Sequence, residues 1–201
     1  ARFVDHAAQF GEDAVGEGVG GDVILHIPID REMMARNNLT AISNAYFRKS
    51  VALAIHPDRI PPDATYDIFK KEKVGVQYAT IADYFLLRYD DGALINNVVH
   101  YTKPEVGIRQ FIDKETSALL GVRSDIEGML HERGHKATFI TPPTPGMSQS
   151  SWVVGTAVKE DSRDLGYAIG NALDELRDSG RLQAIFEAHG VTYVPPVEPE
   201  R

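Results

Sequence analysis

The alternation of apolar and polar positions near the end of the chain predicts a strand followed by two helices. Residues 152–158 are rich in β-branched residues, as strands are, and the polar residues 159–162 end the strand and offer helix N-caps. Beyond them, apolar residues recur at steps of three and four, which predicts a helix with one buried face. Gly180 stands where that helix should end in a left-handed turn, before a shorter amphipathic helix. The predicted inner faces consist of Leu165, Ala168, Ile169, Ala172, Leu173 and Leu176 in the first helix and of Leu182, Ile185 and Phe186 in the second.

The middle of the chain repeats this alternation of strands and helices. Strand-like runs and amphipathic stretches follow one another at intervals of about 15 to 20 residues, which predicts a mainly parallel sheet with helices on both faces. Ligands of such sheets bind at the carboxyl ends of the strands. Two connections with several prolines, 56–64 and 140–146, bracket this region. Strands are predicted at 22–27, 51–55, 73–77, 98–101, 118–122 and 136–140, and helices at 104–112 and 124–133.

Charge and composition narrow the classes of function. The chain has 21 basic and 29 acidic residues, so the phosphate backbone of a nucleic acid would be repelled and no nucleic-acid partner is expected. Cysteine is absent, which excludes thiolate metal sites, disulfides and cysteine nucleophiles. No apolar run approaches the roughly 20 residues that span a bilayer, so membrane insertion is not expected. The first residues do not form a signal peptide, so an exported form is expected to have lost its signal before Ala1.

Two motif matches are formal only. Residues 131–135 satisfy the H-E-x-x-H zinc pattern, but that chemistry needs an unbroken helix through both histidines, and Gly134 stands between them where the helix should end. Gly16, Gly18 and Gly21 satisfy G-x-G-x-x-G, but they precede a predicted strand, whereas a dinucleotide-binding loop follows one. Neither a metal site nor a cofactor is therefore predicted. The remaining histidines are interpreted as scattered surface or core residues.

The segment 151–189 carries a resemblance to a known family. Its strand, helix, Ser-Gly turn and Leu-x-x-Ile-Phe sequence resembles the C-terminal end of the bacterial extracellular solute-binding proteins of family 3, the two-lobed receptors of amino-acid-type ABC importers. Two further segments fit the family in the right order. Residues 21–55 resemble its acidic-apolar strand and paired aromatic before the crossing strand, and residues 73–84 resemble the V-G-V-Q strand and Gly-Thr-Thr helix start of lobe two.

The resemblance implies an α/β fold of the type II periplasmic-binding-protein (Venus-flytrap) class. Lobe one would consist of 1–53 and 155–201, and lobe two of the inserted segment 54–154, with hinge strands near 50–57 and 150–158. Members of the family open with a strand and a helix ahead of the residues that match here. The first lobe is therefore expected to be incomplete at its N-terminus.

The chain differs from the amino-acid-binding branch of that family at the residues expected to bind the ligand. In that branch, a Ser/Thr-rich loop with an arginine holds the ligand carboxylate, and an acid at the end of a later lobe-two strand holds the ammonium group. Here the loop 27–31 keeps Arg31 but lacks the hydroxyls, and Val122 or Arg123 takes the place of the acid. An unpaired ammonium in a closed cleft would cost several kcal/mol, so the ligand is predicted not to be a standard amino acid.

Thr80 has two possible roles. The family has Gly-Thr-Thr at this helix start, and Ala79 and Ile81 replace the glycine and the second hydroxyl. The helix N-terminus can bind a carboxylate or another anion, so Thr80 could contact a ligand. It could equally be a simple N-cap.

Two functional hypotheses follow from the resemblance. The first is a non-enzymatic periplasmic protein that serves an ABC permease and holds a small organic molecule, anionic or neutral, in a cleft between its lobes. The second is a periplasmic accessory of a PQQ-dependent, methanol-type dehydrogenase that binds the dehydrogenase or its cytochrome; the ending 190–196 resembles that of such proteins. No carboxylate pair or activated nucleophile is visible, so no catalytic residue is predicted. The predicted ligand-binding residues are Tyr46, Tyr78, Thr80, Arg123, Arg31 and Trp152.

Overall fold

The computed structural model describes residues 23–30, 35–36, 39–40 and 45–196, which form two compact units. The first unit contains the described residues up to Arg48, together with Trp152–Ala184 and the described residues from Val194 onward. The second contains Lys49–Ser151 and Ile185–Tyr193. The segment 185–193 belongs to the second unit, whereas the sequence analysis assigned it to lobe one.

The described elements follow the predicted alternation of strands and helices. The strands are β1 Val23–Pro28, β2 Leu39–Thr40, β3 Ala45–Ile55, β4 Val74–Gln77, β5 Val98–Tyr101, β6 Ala118–Val122, β7 Thr138–Ile140 and β8 Ser151–Lys159. The α-helices are α1 Ile81–Arg88, α2 Pro104–Ile112, α3 Arg123–His131, α4 Arg163–Asp178 and α5 Arg181–Ala188. No helix among the described residues is long and apolar enough to cross a membrane.

The sheet of the second unit has the strand order β3-β6-β4-β5. Strand β4 is parallel to β5 and to β6, because helices α1 and α2 make the crossover connections that parallel neighbours require. The long strand β3 pairs antiparallel with β6 and with β7. The predicted parallel arrangement therefore holds for β4, β5 and β6, while β3 and β7 make the sheet mixed.

The core of the second unit lies between this sheet and helices α2 and α3. Strand β6 begins with the apolar run Ala118–Leu120, which is fully buried, as expected of a central strand. Gly107 of α2 lies directly against the ring of Tyr101, where a Cβ atom would overlap the ring. The absence of a side chain at Gly107 thus lets α2 pack closely on β5. The buried residues of this hydrophobic core are Ala54, Tyr101, Ile108, Phe111, Leu119, Ile126 and Leu130.

In the first unit, β1 and β2 both pair antiparallel with β8, and the strand order is β1-β8-β3. The register of β1 shifts between Leu25 and Ile27, and His26 within this irregularity has a left-handed backbone with φ of 60°. Ile27 and Ala157 are buried here, with Ile24 and Ile29 packed against them.

Several helix ends agree with the local rules. Helix α4 ends at Asp178, and Gly180 has the predicted left-handed conformation, with φ of 72°. Helix α3 ends at His131, and Gly134 also has a positive φ, of 71°. The helix is thus broken within the H-E-x-x-H match, as predicted.

Among the described residues, no group of three or more His, Asp or Glu residues could hold a metal ion.

The predicted inner face of α4 is confirmed only in part. Three of its six residues are exposed and three are half-buried: Leu165, Ala168 and Ala172 are exposed, whereas Ile169, Leu173 and Leu176 are half-buried. The fully buried residues of the helix are Gly166 and Gly170, which lie four residues apart on one face. In α5 the prediction holds for Leu182, which is buried, and Phe186 is half-buried, whereas Ile185 is 48% exposed.

Candidate functional site

Three of the predicted ligand-binding residues lie at one edge of the sheet in the second unit. Tyr78 and Thr80 follow the end of β4, and Arg123 follows the end of β6. The parallel register pairs Gln77 with Tyr101 and Val76 with Leu120, so β4, β5 and β6 end at a common edge. This is the carboxyl edge, where sheets of this kind bind ligands.

Thr80 is the N-cap of α1. Its side-chain oxygen accepts a hydrogen bond from the backbone N–H of Asp83 at 3.2 Å, and its hydroxyl donates to the carbonyl of Gln77 at 2.8 Å. The N-cap role is therefore confirmed. The hydroxyl proton is already committed, so Thr80 could still accept a hydrogen bond from a ligand but could not donate one.

Asp83 lies beneath the loop that joins β4 to α1. Its side chain is 2% exposed, and one carboxylate oxygen accepts the backbone N–H of Ala79 at 2.8 Å. The other carboxylate oxygen is 2.8 Å from Nε2 of His100 on β5. A buried carboxylate is stable only when its oxygens are hydrogen-bonded, and Asp83 satisfies this condition through two different elements.

Tyr78 is the most exposed side chain at this edge, with 63% of its surface accessible. Its backbone N–H donates to the carbonyl of Tyr101 at 2.9 Å, which continues the β4–β5 pairing by one residue. Its ring meets the imidazole of His100 edge-on, with 6.0 Å between ring centroids and an interplanar angle of 79°. Tyr78 therefore offers an aromatic face to solvent from a fixed backbone position.

Ala79 adopts a left-handed backbone with φ of 59°, which glycine, the residue expected from the family resemblance, adopts without strain. We expect Ala79→Gly to raise the free energy of unfolding by about 0.5 to 1 kcal/mol, because the relief of strain exceeds the added entropy of the unfolded chain. Ala93→Gly is the matched control, since Ala93 has φ of -58° and should lose stability on the same change. Urea denaturation of both variants measures the difference, and equal losses would contradict the left-handed assignment.

Arg123 is held by its own unit. Its Nε donates to Oε1 of Glu127 at 2.9 Å, its guanidinium lies 5.2 Å from the centroid of the Phe139 ring, and Nη2 is 3.4 Å from the Thr192 hydroxyl. About a third of the side chain is exposed, at 36%. Arg123 is therefore fixed in position, and its remaining N–H groups are the part that a ligand could contact.

An ion pair between a buried lysine and a partly exposed aspartate lies close to the same edge. Lys49 of β3 has a side chain only 4% exposed, and its ammonium is 3.0 Å from the carboxylate of Asp125 in the first turn of α3. The register places Val51 opposite Val122, so Lys49 reaches beyond the end of β6. The sequence analysis did not identify this pair.

The remaining predicted residues belong to the first unit or lie outside the described residues. Tyr46 is half-buried in β3, with its hydroxyl 3.0 Å from Nδ1 of His26. Burial raises the pKa of Tyr46 to about 12, partly opposed by a hydrogen bond from the backbone of His26, so the phenol is neutral at physiological pH. Trp152 is half-buried near the start of β8. Arg31 lies outside the described residues.

Sequence reasoning missed Asp83 and His100. Thr80 and Asp83 have the T-x-x-[DE] spacing of a capping box, so this pattern could have identified Asp83. No local signal identifies His100, because its partner lies on another element and is brought close only by the parallel pairing of β4 with β5.

No family model matches the chain, and no curated protein matches it. Several solved structures match the fold of the chain. An ancestral cationic amino acid solute-binding protein superimposes with a TM-score of 0.65 at 13% identity, over 84% of this chain and 69% of that one. The second substrate-binding domain of a protein described as an amino-acid ABC transporter from Streptococcus pneumoniae gives a TM-score of 0.64 at 18% identity, over 85% of this chain and 73% of that one.

A third match is a histidine kinase sensor domain described as similar to periplasmic binding proteins. Its TM-score is 0.52 at 17% identity, over 87% of this chain and 72% of that one. None of the three descriptions names a catalytic domain. At these identities the matches establish the fold alone. The chain has the α/β fold of the two-lobed type II periplasmic binding proteins.

Proposed function

We propose that the chain is a non-enzymatic periplasmic solute-binding protein that delivers a small organic molecule to an ABC permease. The two lobes, 1–53 with 155–201 and 54–154, would close on the ligand, with hinge strands near 50–57 and 150–158. One observation carries this proposal. In a fold shared with solute-binding proteins, Tyr78, Thr80 and Arg123 gather at the carboxyl edge of the sheet, where such folds bind ligands.

The ligand is proposed to be anionic or neutral and not a standard amino acid, although the matched proteins are described as binding amino acids. Three acidic side chains near this edge already have a cationic or imidazole partner. The described pairs are Asp83 with His100, Asp125 with Lys49, and Glu127 with Arg123. The ammonium group of an amino acid would have to compete with these partners.

The available groups at this edge favour an anion or a polar neutral molecule. Arg123 keeps N–H groups for an acceptor on the ligand, and the exposed ring of Tyr78 gives an apolar face for its carbon skeleton. Tyr46, Trp152 and Arg31 are proposed as further ligand contacts.

A thermal-shift screen of the full chain tests this function. We expect a pool of dicarboxylates, sugar acids or polyols to raise the melting temperature by mass action, and the twenty standard amino acids to leave it unchanged. For the solute identified, Tyr78→Ala should weaken affinity by about tenfold or more, since an aromatic contact of this kind contributes 1 to 2 kcal/mol.

Tyr84→Ala is the matched control for that variant. Tyr84 is 56% exposed, only six residues away, but lies within α1 and not at the edge of the sheet. Equal losses of affinity in the two variants, or stabilisation by amino acids alone, would contradict the proposed site.

The accessory role beside a quinoprotein dehydrogenase is the alternative proposal. It rests on a looser resemblance, in the D-V-hydrophobic strand, the aromatic-Arg-Ser entry and the ending 190–196. It predicts that no solute pool stabilises the protein and that a PQQ-dependent dehydrogenase or its cytochrome is retained by the immobilised chain.

A further inference from the structure

We propose that His100 is a further ligand contact at this edge, and that Asp83 fixes its tautomer so that Nδ1 is the nitrogen left for the ligand. The inference rests on the proposed function and extends it to a residue outside the predicted set. The atom concerned is Nδ1, on the side of the imidazole away from Asp83.

The geometry determines which nitrogen carries the proton. His100 Nε2 lies 2.8 Å from Oδ1 of Asp83, whose other oxygen is bound by the N–H of Ala79. An ionised carboxylate only accepts hydrogen bonds, so Nε2 must carry a proton in both the neutral and the charged imidazole. In the neutral ring Nδ1 is therefore a hydrogen-bond acceptor, and in the charged ring it becomes a donor.

The imidazole of His100 is partly exposed. Its side chain is 35% exposed, and its Nδ1 has no hydrogen-bond partner among the described residues. Asp83 is almost completely buried, so it is shielded from a ligand while it holds the ring. His100 would thus contact the ligand, and Asp83 would hold the imidazole of His100 in position.

The groups that face His100 are few. Asp83 approaches it from α1, and Tyr78 from the loop after β4. Successive side chains of a strand point to opposite faces, and the neighbouring Tyr101 packs against Gly107 of α2. The charged residues of α2 therefore lie across the sheet from His100. On its other side β5 is the last strand in the order of the second unit, so no further described strand faces the ring there.

The placement of His100 makes it part of the same site as Tyr78. It is the penultimate residue of β5, and its ring touches that of Tyr78 edge-on. A molecule that contacts the exposed ring of Tyr78 therefore lies close to the imidazole of His100. The charged imidazole would donate to a carboxylate or phosphate-like group of that molecule, while the neutral ring would accept from a hydroxyl.

The first test concerns the tautomer. Long-range ¹H–¹⁵N correlation spectra of the labelled full chain report the protonation of each imidazole nitrogen, and we expect the neutral form of His100 to carry its proton on Nε2. Asp83→Asn should reduce this preference. A proton on Nδ1 in the native protein would overturn the proposal.

The second test uses succinate as an anionic probe and putrescine as a cationic probe of similar length. Succinate should shift the His100 resonances, because a carboxylate that accepts a hydrogen bond from Nδ1 changes the surroundings of the ring. Putrescine should not shift them. His100→Gln should weaken the affinity for succinate by about tenfold, since one charge-assisted hydrogen bond is worth roughly 1.4 kcal/mol or more. His189→Gln, at an exposed histidine in the second unit, should leave that affinity unchanged.

Equal affinity for succinate in the native protein and in His100→Gln, no response of His100, or an equal response of His189 would each overturn the inference. These results differ from a failure of the proposed function. If a solute from the pools binds but His100→Gln leaves its affinity unchanged, the inference fails and the function stands. If the standard amino acids alone stabilise the protein, the proposed function fails, whatever the tautomer of His100.

Discussion

Replacing Gly190 by alanine is expected to destabilise the second unit by roughly 2 to 4 kcal/mol. Gly190 has φ of 73°, a conformation that costs an L-residue about 1 kcal/mol, and a Cβ atom there would overlap the imidazole of His131. That ring lies at the end of α3, so the overlap could be relieved only by moving the ring or the chain. Hydrogen exchange of the α3 and β6 amides, together with urea denaturation, measures the loss.

Gly134→Ala separates the two contributions to that loss. Gly134 lies in the same unit and has φ of 71°, but a Cβ atom there would meet nothing within 4 Å. This control should therefore cost only the backbone strain, about 1 kcal/mol. Equal destabilisation by Gly190→Ala and Gly134→Ala would mean that Gly190 does not contact His131 as described.

Local rules predicted the elements that depend only on neighbouring residues. Helix α2 has the predicted bounds 104–112, because Pro104 begins it at a position that tolerates proline. The caps at Thr80 and Gly180 also follow from single residues. The sequence resemblance to family 3 further predicted the type II periplasmic-binding fold, which the solved structures support at low identity.

Burial could not be predicted from periodicity in the same way. The apolar stripe of α4 shows that one face is suited to a core, but whether Leu165 or Ala172 is covered depends on which elements lie next to the helix. Gly166 and Gly170 allow the backbone to be the buried side. The periodicity of apolar side chains therefore cannot show that a helix is buried at its glycines.

Candidate site residues could be proposed only where the resemblance supplied a position. It proposed Tyr78, Thr80 and Arg123, but it could not show that Arg123 is held by Glu127 and by Thr192, which is 69 residues away in the chain. The pairs of Asp83 with His100 and of Lys49 with Asp125 also join separate elements. Such pairs follow from strand order and register, and the sequence alone specifies neither.

Glu127 joins α3 to the segment 185–193. This segment belongs to the second unit, although α5, whose last residues it includes, starts in the first. Its side chain is 8% exposed and accepts hydrogen bonds from three groups, each at 2.9 Å: Nε of Arg123, the backbone N–H of Thr192 and the hydroxyl of Thr192. These hydrogen bonds attach the segment to α3 of the second unit.

We expect Glu127→Ala to lower the free energy of unfolding by about 2 to 4 kcal/mol, because it leaves a buried backbone donor and a guanidinium without their acceptor. Glu127→Gln should lose less, since its amide oxygen still accepts one hydrogen bond. Glu132→Ala, at an exposed acid one residue beyond the end of the same helix, should change stability by no more than about 0.5 kcal/mol. Hydrogen exchange should show faster exchange at Thr192 in Glu127→Ala, and unchanged exchange there would contradict the role of Glu127 in holding this segment.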